Sequence, residues 1–282
     1  VKDFFHKQIK NFSHFHEVEL RFQDKVVGYS VTAIDRDKMP IGGGTHKNID
    51  TARKIAVSEC LERSFVGIMK DDNNHFMTRE YPTTSGFAGG FDRIPTQMRA
   101  ICEGYERWLW EEWIDRGRFI REVKVDPSKL SPIAKLYSSK FDDVNFFKHE
   151  FISEDEVLLG ERIHFGIVIA RKGLGVFPGS RVVFGEEDVW EHSLVEAWRH
   201  LSIFTHHHES QYSNIIHKRI FVFGRDGSKA YEVIPKDLNK SMAIPRISLM
   251  KEYKTGADFF LWRAICSGFM GWHHGSENRF VY

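Results

Sequence analysis

Twice in this chain a glycine cluster leads into a helical run that ends in Glu-x-x-Glu-Arg. The first copy is Gly42-Gly43-Gly44 followed by TARKIAVSECLERS, which closes on Glu59, Glu62 and Arg63. The second is SGFAGG (Ser85 to Gly90) followed by QMRAICEGYERWLW, which carries Glu103, Glu106 and Arg107. Carboxylates three residues apart share a helix face, so each copy presents two acids side by side. A projection of residues 52–66 is apolar on two sides, with Ala52, Ile55, Ala56 and Val66 on one and Val57 and Leu61 on the other. Such a helix is largely buried, and its acids need partners. Arg63, four residues past Glu59, supplies one partner. A second reading fits two copies better: four acids converging on a magnesium–phosphate site. Magnesium takes oxygen ligands, usually one or two carboxylates, with water and nucleotide phosphates filling the remaining positions. Glycine turns ahead of helices expose N–H groups to anions. Neither a P-loop nor a dinucleotide fingerprint is present.

The rest of the chain reads as mixed helix and strand. Residues 17–34 alternate and predict a hairpin. A helix is expected from Asp50 to Met69, with Asp50 or Thr51 as N-cap, and a second from Pro95 to Arg116. Residues 164–171 and 181–185 read as strands, and 186–204 as a third helix. Residues 218–224 look strand-like, and the apolar run 259–272 looks helical. No low-complexity linker interrupts the sequence, so the expected architecture is one α+β domain over residues 1–282, its glycine turns leading into glutamate-bearing helices packed on a mixed β-sheet.

The two blocks GGGTHKNIDTARKIAVSECLERS and TTSGFAGGFDRIPTQMRAICEGYERW resemble the paired signatures of the YcaO family, and RVVFGEEDVWEHSLVEAWRHLSIF is similar to that family's third helix, with Glu196 and Arg199 in matching places. The resemblance implies ATP-dependent activation of a peptide backbone amide, by phosphorylation of the amide oxygen after a nucleophile has added. Azoline, thioamide and amidine products all fall within it. It implies ATP and Mg2+ as cofactors, with Glu59, Glu62, Glu103 and Glu106 holding the metal. Arg107 and Arg199 would act on phosphate oxygens. Gly43, Gly44, Lys47, Ser58, Arg63, Ser85 and Gly86 would lie on the nucleotide. It also implies a peptide substrate, a homodimer, and a leader-binding or E1-like accessory protein as partner. Three departures stand out. Gly43 occupies the place of an expected lysine, with Lys47 the nearest substitute. Ser85 replaces an asparagine. The sequence closes on Arg279-Phe280-Val281-Tyr282 without a Pro-x-Pro-x-Pro tail, which points away from ring formation.

Two rival readings use other residues. His192, Glu196 and His200 recur every four residues and would share a helix face, which opens a metal-dependent hydrolase. A non-catalytic peptide-binding or scaffolding subunit on the same fold would use the aromatic residues, among them Trp108, Trp110, Trp113, Trp190 and Trp198, to line a groove. Lysine and arginine number 40 against 39 acids, so bulk attraction to nucleic acid or membrane is not expected. No apolar stretch approaches the roughly 20 residues of a membrane span. Cys60, Cys102 and Cys266 have no metal-type spacing and read as small buried apolar residues of a cytoplasmic protein.

Overall fold

The computed structural model describes residues 11–71, 83–185, 188–235, 237, 239–255 and 258–280. The chain divides into two compact units, one of Val1–Gly104 with Ser248–Ile265, the other of Tyr105–Ile247 with Cys266–Tyr282.

The first unit opens with β1 (Phe12–Phe22), β2 (Lys25–Asp35) and β3 (Pro40–His46), an antiparallel sheet in that order. The expected hairpin is present, turning through Gln23 and Asp24, both at positive φ. Helix α1 (Ile49–Asp71) follows. Its cap is Asn48, whose side chain accepts from the Thr51 N–H at 3.0 Å, so neither Asp50 nor Thr51 serves as N-cap. Gly42, Gly43 and Gly44 do not form a turn; they lie inside β3. Gly42 and Gly44 face α1, where an added Cβ would stand 2.3 Å from the Ala56 carbonyl oxygen and 2.1 Å from that of Ala52. The glycines and the two alanines let strand and helix backbones meet, and Val31 and Ala33 complete that small-residue core. Gly44→Ala is therefore expected to cost about 3 kcal/mol in urea unfolding, at the upper end of overpacking penalties.

A second antiparallel pairing joins β4 (Phe87–Gly90) to β10 (Phe260–Cys266), with β9 (Ile247–Lys254) on the other side of β10. The run 259–272 thus yields a strand where a helix was expected. Leu261 to Cys266 are all buried, and a strand buried on both faces has the continuous apolar character of a buried helix.

Helix α2 (Arg93–Ile114) begins in the first unit and ends in the second, with Pro95 in its first turn. The second unit is built on a four-stranded antiparallel sheet, β5 (Arg121–Val123), β6 (Asp143–Ile152), β7 (Arg162–Lys172) and β8 (Gly175–Phe184), in that order. The short helix α3 (Pro132–Ser138) precedes β6, and α4 (Trp190–His206), α5 (Ile215–Arg225) and α6 (Ser228–Val233) follow β8. Trp113 of α2 packs on Phe147, with ring centroids 5.3 Å apart. Helix α4 lies against β8, close enough that a Cβ on Gly179 would stand 2.0 Å from the Ser193 carbonyl oxygen. Residues 218–224, expected as a strand, belong to α5. Asn214 caps that helix by accepting from the Ile216 N–H at 2.9 Å, and its apolar residues are buried along one side. No described helix is long and apolar enough to cross a membrane.

Candidate functional site

In the first unit the acids gather around Glu62. Burial raises the pKa of this carboxyl, the nearby Glu103 charge raises it further, and Glu59 adds to the effect; Arg99 and Arg63 oppose them, and the outcome is a group pushed up to about 8. Glu59 is held in place from two sides. Its Oε2 accepts from the Gly43 N–H at 2.5 Å and its Oε1 from Arg63 Nη2 at 2.5 Å. The Gly43 contact follows from topology, since β3 is a sheet edge with outward N–H groups. That N–H is spent on Glu59 and Gly44 is pressed against α1, so the expectation that these two glycines cradle a phosphate is corrected. Lys47 is exposed between β3 and α1, and Ser58 is buried on α1 beside Glu59.

Ser85 and Gly86 form a tight turn tied to β10. The Ser85 hydroxyl accepts from Thr83 Oγ1 at 2.9 Å, and its carbonyl accepts from the buried Arg263 Nε at 3.2 Å. Gly86 has φ +74°, and a Cβ there would stand 1.9 Å from the Ala264 carbonyl oxygen.

In the second unit Glu106 is 2 % exposed and anchored to β8, accepting from Ser180 Oγ at 2.8 Å and from the Val182 N–H at 3.2 Å. The Ser180 N–H donates to Glu196 Oε2 of α4 at 3.3 Å. Strand β8 is also a sheet edge, so the glutamates on its flanking helices meet outward N–H groups, as Glu59 meets Gly43 in the first unit. Burial works against ionising Glu196. The hydrogen bond and charge of His192 outweigh it, with Arg107 and His200 helping, and hold Glu196 well below the usual carboxylate range. Arg107 Nη1 lies 3.9 Å from Glu106 Oε1, and its guanidinium rests over the Trp272 ring, 4.1 Å from the centroid. Arg199 is half-buried on α4. Ser180→Ala removes a donor from a buried carboxylate, and an unfolding loss of about 1–3 kcal/mol is expected by urea titration.

Among the described residues no group of three or more His, Cys, Asp or Glu is arranged to hold a metal ion. The His192, Glu196 and His200 set read from sequence is accordingly not grouped as a three-ligand site among the described residues. His200 turns Nδ1 to the Pro178 carbonyl at 2.7 Å, and His192 Nε2 pairs with Glu196 at 3.4 Å. Magnesium asks for less. One or two carboxylates suffice when phosphates and water complete the shell, and the all-oxygen donors Glu62 and Glu103, which repel one another, fit that demand.

Sequence reasoning missed Ser180, Trp272 and Arg99. Arg99 precedes Glu103 by four helical residues and was open to detection by spacing. Ser180 and Trp272 act across long sequence separations and gave no local signal.

No protein-family model matches the sequence, and no curated protein matches it. Solved structures do. YcaO from Methanopyrus kandleri, bound with AMPPCP and Mg2+, superposes with a TM-score of 0.57 at 13% identity, over 95% of this chain and 88% of that one. The E. coli microcin synthetase McbBCD complex with pro-MccB17 bound gives 0.53 at 8% identity, over 89% and 86%. A heterocyclase in complex with substrate and cofactor also gives 0.53 at 8% identity, over 90% of this chain, which spans only 50% of that protein. The chain has the YcaO-like fold, an α+β arrangement of helices and antiparallel sheets.

Proposed function

We propose that this protein is an ATP- and magnesium-dependent enzyme that activates a peptide backbone amide by phosphorylating its oxygen. The observation that supports the reading most strongly is the Glu62 group. Three carboxylates from two helices share a partly buried region, and their mutual repulsion persists despite Arg99 and Arg63. Groups kept together at such a cost are explained by a cation that offsets them. Magnesium bound there would neutralise phosphate charge and orient the γ-phosphoryl group.

The chain's own residues supply the remainder. Glu62 and Glu103 are the principal metal ligands, with Glu59 positioned by Gly43 and Arg63. Glu106, which accepts from Ser180 and Val182, is assigned a ligand role by resemblance alone. Arg107 and Arg199 are assigned to phosphate oxygens, where a guanidinium fork matches the geometry. Lys47, Ser58, Ser85 and Gly86 are assigned to the nucleotide by resemblance. The YcaO of Methanopyrus kandleri holds AMPPCP and Mg2+, and the microcin synthetase holds pro-MccB17, which together favour ATP and a peptide as the two substrates.

In the proposed reaction a nucleophile adds to the amide carbon, the amide oxygen takes the γ-phosphoryl group, ADP leaves, and the oxygen departs as inorganic phosphate. A peptide labelled with 18O at the reacting amide should release 18O-phosphate, read by mass spectrometry. Unlabelled phosphate with product formed would overturn the mechanism. The alternative, a non-catalytic YcaO-like subunit of a modification complex, is favoured by one observation: Gly43, standing where a lysine is expected, gives its N–H to Glu59. That subunit would bind peptide without releasing phosphate.

A further inference from the structure

We propose that Arg263 is a positioning residue for the turn at 84–87: it fixes the Ser85–Gly86 peptide so that the Gly86 N–H is presented to a phosphate oxygen of the nucleotide. This rests on the function proposed above. Arg263, the turn and the Glu62 group all belong to the first unit.

The turn is closed by the Phe87 N–H, which donates to the Thr84 carbonyl at 3.0 Å. Gly86, its third residue, has φ +74°, and Ser85 is not at positive φ, which defines a type II turn. Types I and II differ by a flip of the central peptide, here the one between Ser85 and Gly86. Arg263 selects one side of that flip. Its Nε donates to the Ser85 carbonyl at 3.2 Å and its Nη2 to the Thr83 carbonyl at 3.2 Å. None of the described peptide bonds is cis, so the C=O and N–H of each peptide point opposite ways. The Gly86 and Thr84 N–H groups are therefore directed away from the guanidinium. Among the described residues nothing accepts from the Gly86 N–H.

The arginine is itself held. It has no solvent exposure, and its guanidinium carbon lies 4.5 Å from the Phe87 ring centroid. Phe87 is buried in one cluster with Leu61 and Phe65 of α1, which sets the turn beside the stretch of α1 that carries Glu62. The Ala264 N–H donates to the Gly86 carbonyl at 2.9 Å and ties the turn to β10. A flip of the central peptide would take the Ser85 carbonyl off the guanidinium and turn the positive end of an N–H dipole toward a buried cation. A charged donor on a carbonyl also polarises the peptide and strengthens its N–H as a donor. A neutral side chain could fill the space but would supply neither effect.

The test uses the full chain carrying 13C-carbonyl serine and 15N-glycine, with Mg-AMPPCP as probe. The sequence holds two Ser–Gly pairs, Ser85–Gly86 and Ser267–Gly268, so the Gly86 amide is the correlation that survives Ser267→Ala. Its proton should move downfield with Mg-AMPPCP and stay in place with adenosine, which has no phosphate. Mg-AMPPCP affinity should fall roughly 10- to 100-fold in Arg263→Met, the worth of one hydrogen bond to a charged group, and less in Arg263→Lys. Adenosine affinity should hold in both variants. An arginine that merely stabilises the fold would lower both affinities alike. A Gly86 amide unmoved by nucleotide that binds would overturn the inference and leave the function proposed above intact, and this wild-type measurement decides even where a variant fails to fold. Absence of any nucleotide binding by the wild type would overturn that function and the role of Arg263 with it.

Discussion

Glu62→Gln is expected to melt at a higher temperature than the wild type at pH 8 and to bind no magnesium nucleotide. In the folded protein Glu62 is pushed up to about 8 by burial and by Glu103 and Glu59, whereas its ordinary value is 4.5. Between those limits the native state keeps a proton that the unfolded chain has released. Stability therefore falls as pH rises from about 4.5 to about 8. Glutamine does not ionise, so the variant escapes that fall and gains about 1–3 kcal/mol at pH 8, while the two proteins converge at pH 4.5 and below. Magnesium with AMPPCP reverses the ranking. Ligand at 100 times its dissociation constant adds about 2.7 kcal/mol to the wild type, and it should add nothing to the variant. Thermal melts at pH 4.5 and pH 8, with and without Mg-AMPPCP, check all four values. A variant less stable at pH 8 would show that Glu62 is held by favourable partners and not by repulsion.

Arg219→Met carries the largest expected loss of stability. Arg219 has no solvent exposure and donates to three carbonyls, those of Trp272 at 2.6 Å, His274 at 2.6 Å and Ser276 at 3.1 Å. Burial lowers its pKa, the Arg279 charge lowers it further, Asp115 opposes, and the guanidinium settles at about 10, still charged at neutral pH. Methionine fills much of the volume but leaves three acceptors without that donor. A loss of about 3–5 kcal/mol in urea unfolding is expected. Lysine should recover only part of it, because one ammonium cannot reproduce the planar fork. Unchanged stability would mean that water serves the three carbonyls as well as Arg219 does.

The parts of the fold that sequence made visible were those with long, regular patterns. The β1–β2 hairpin and helices α1, α2 and α4 stand within a few residues of their expected places, because alternation and helical spacing persist over 17 residues or more in the helices. Short apolar runs misled in both directions. KRIFVFG is helical because Asn214 opens a helix ahead of it, and FFLWRAIC is a strand because both its faces are covered. The glycine cluster at 42–44 was read as an anion-binding turn, but the same residues also satisfy a strand that must touch the α1 backbone. Only the opposing Ala52 and Ala56 separate the two, and those alanines were read as a helix face and not as a contact for the glycines. The pairing of Glu59 with Arg63 was legible from its four-residue spacing. The proximity of Glu62 to Glu103 was suggested by the repeat of the motif, whereas the anchoring of Glu106 by Ser180 depends on a strand 74 residues away and left no mark on local sequence.

The central claim is a magnesium-dependent nucleotide site, and calorimetric titration with AMPPCP tests it most directly. Titrations of the wild type with magnesium, of the wild type with EDTA, and of Glu62→Gln with magnesium are sufficient. The account predicts binding in the first alone. Equal binding in all three, or none in any, would contradict it.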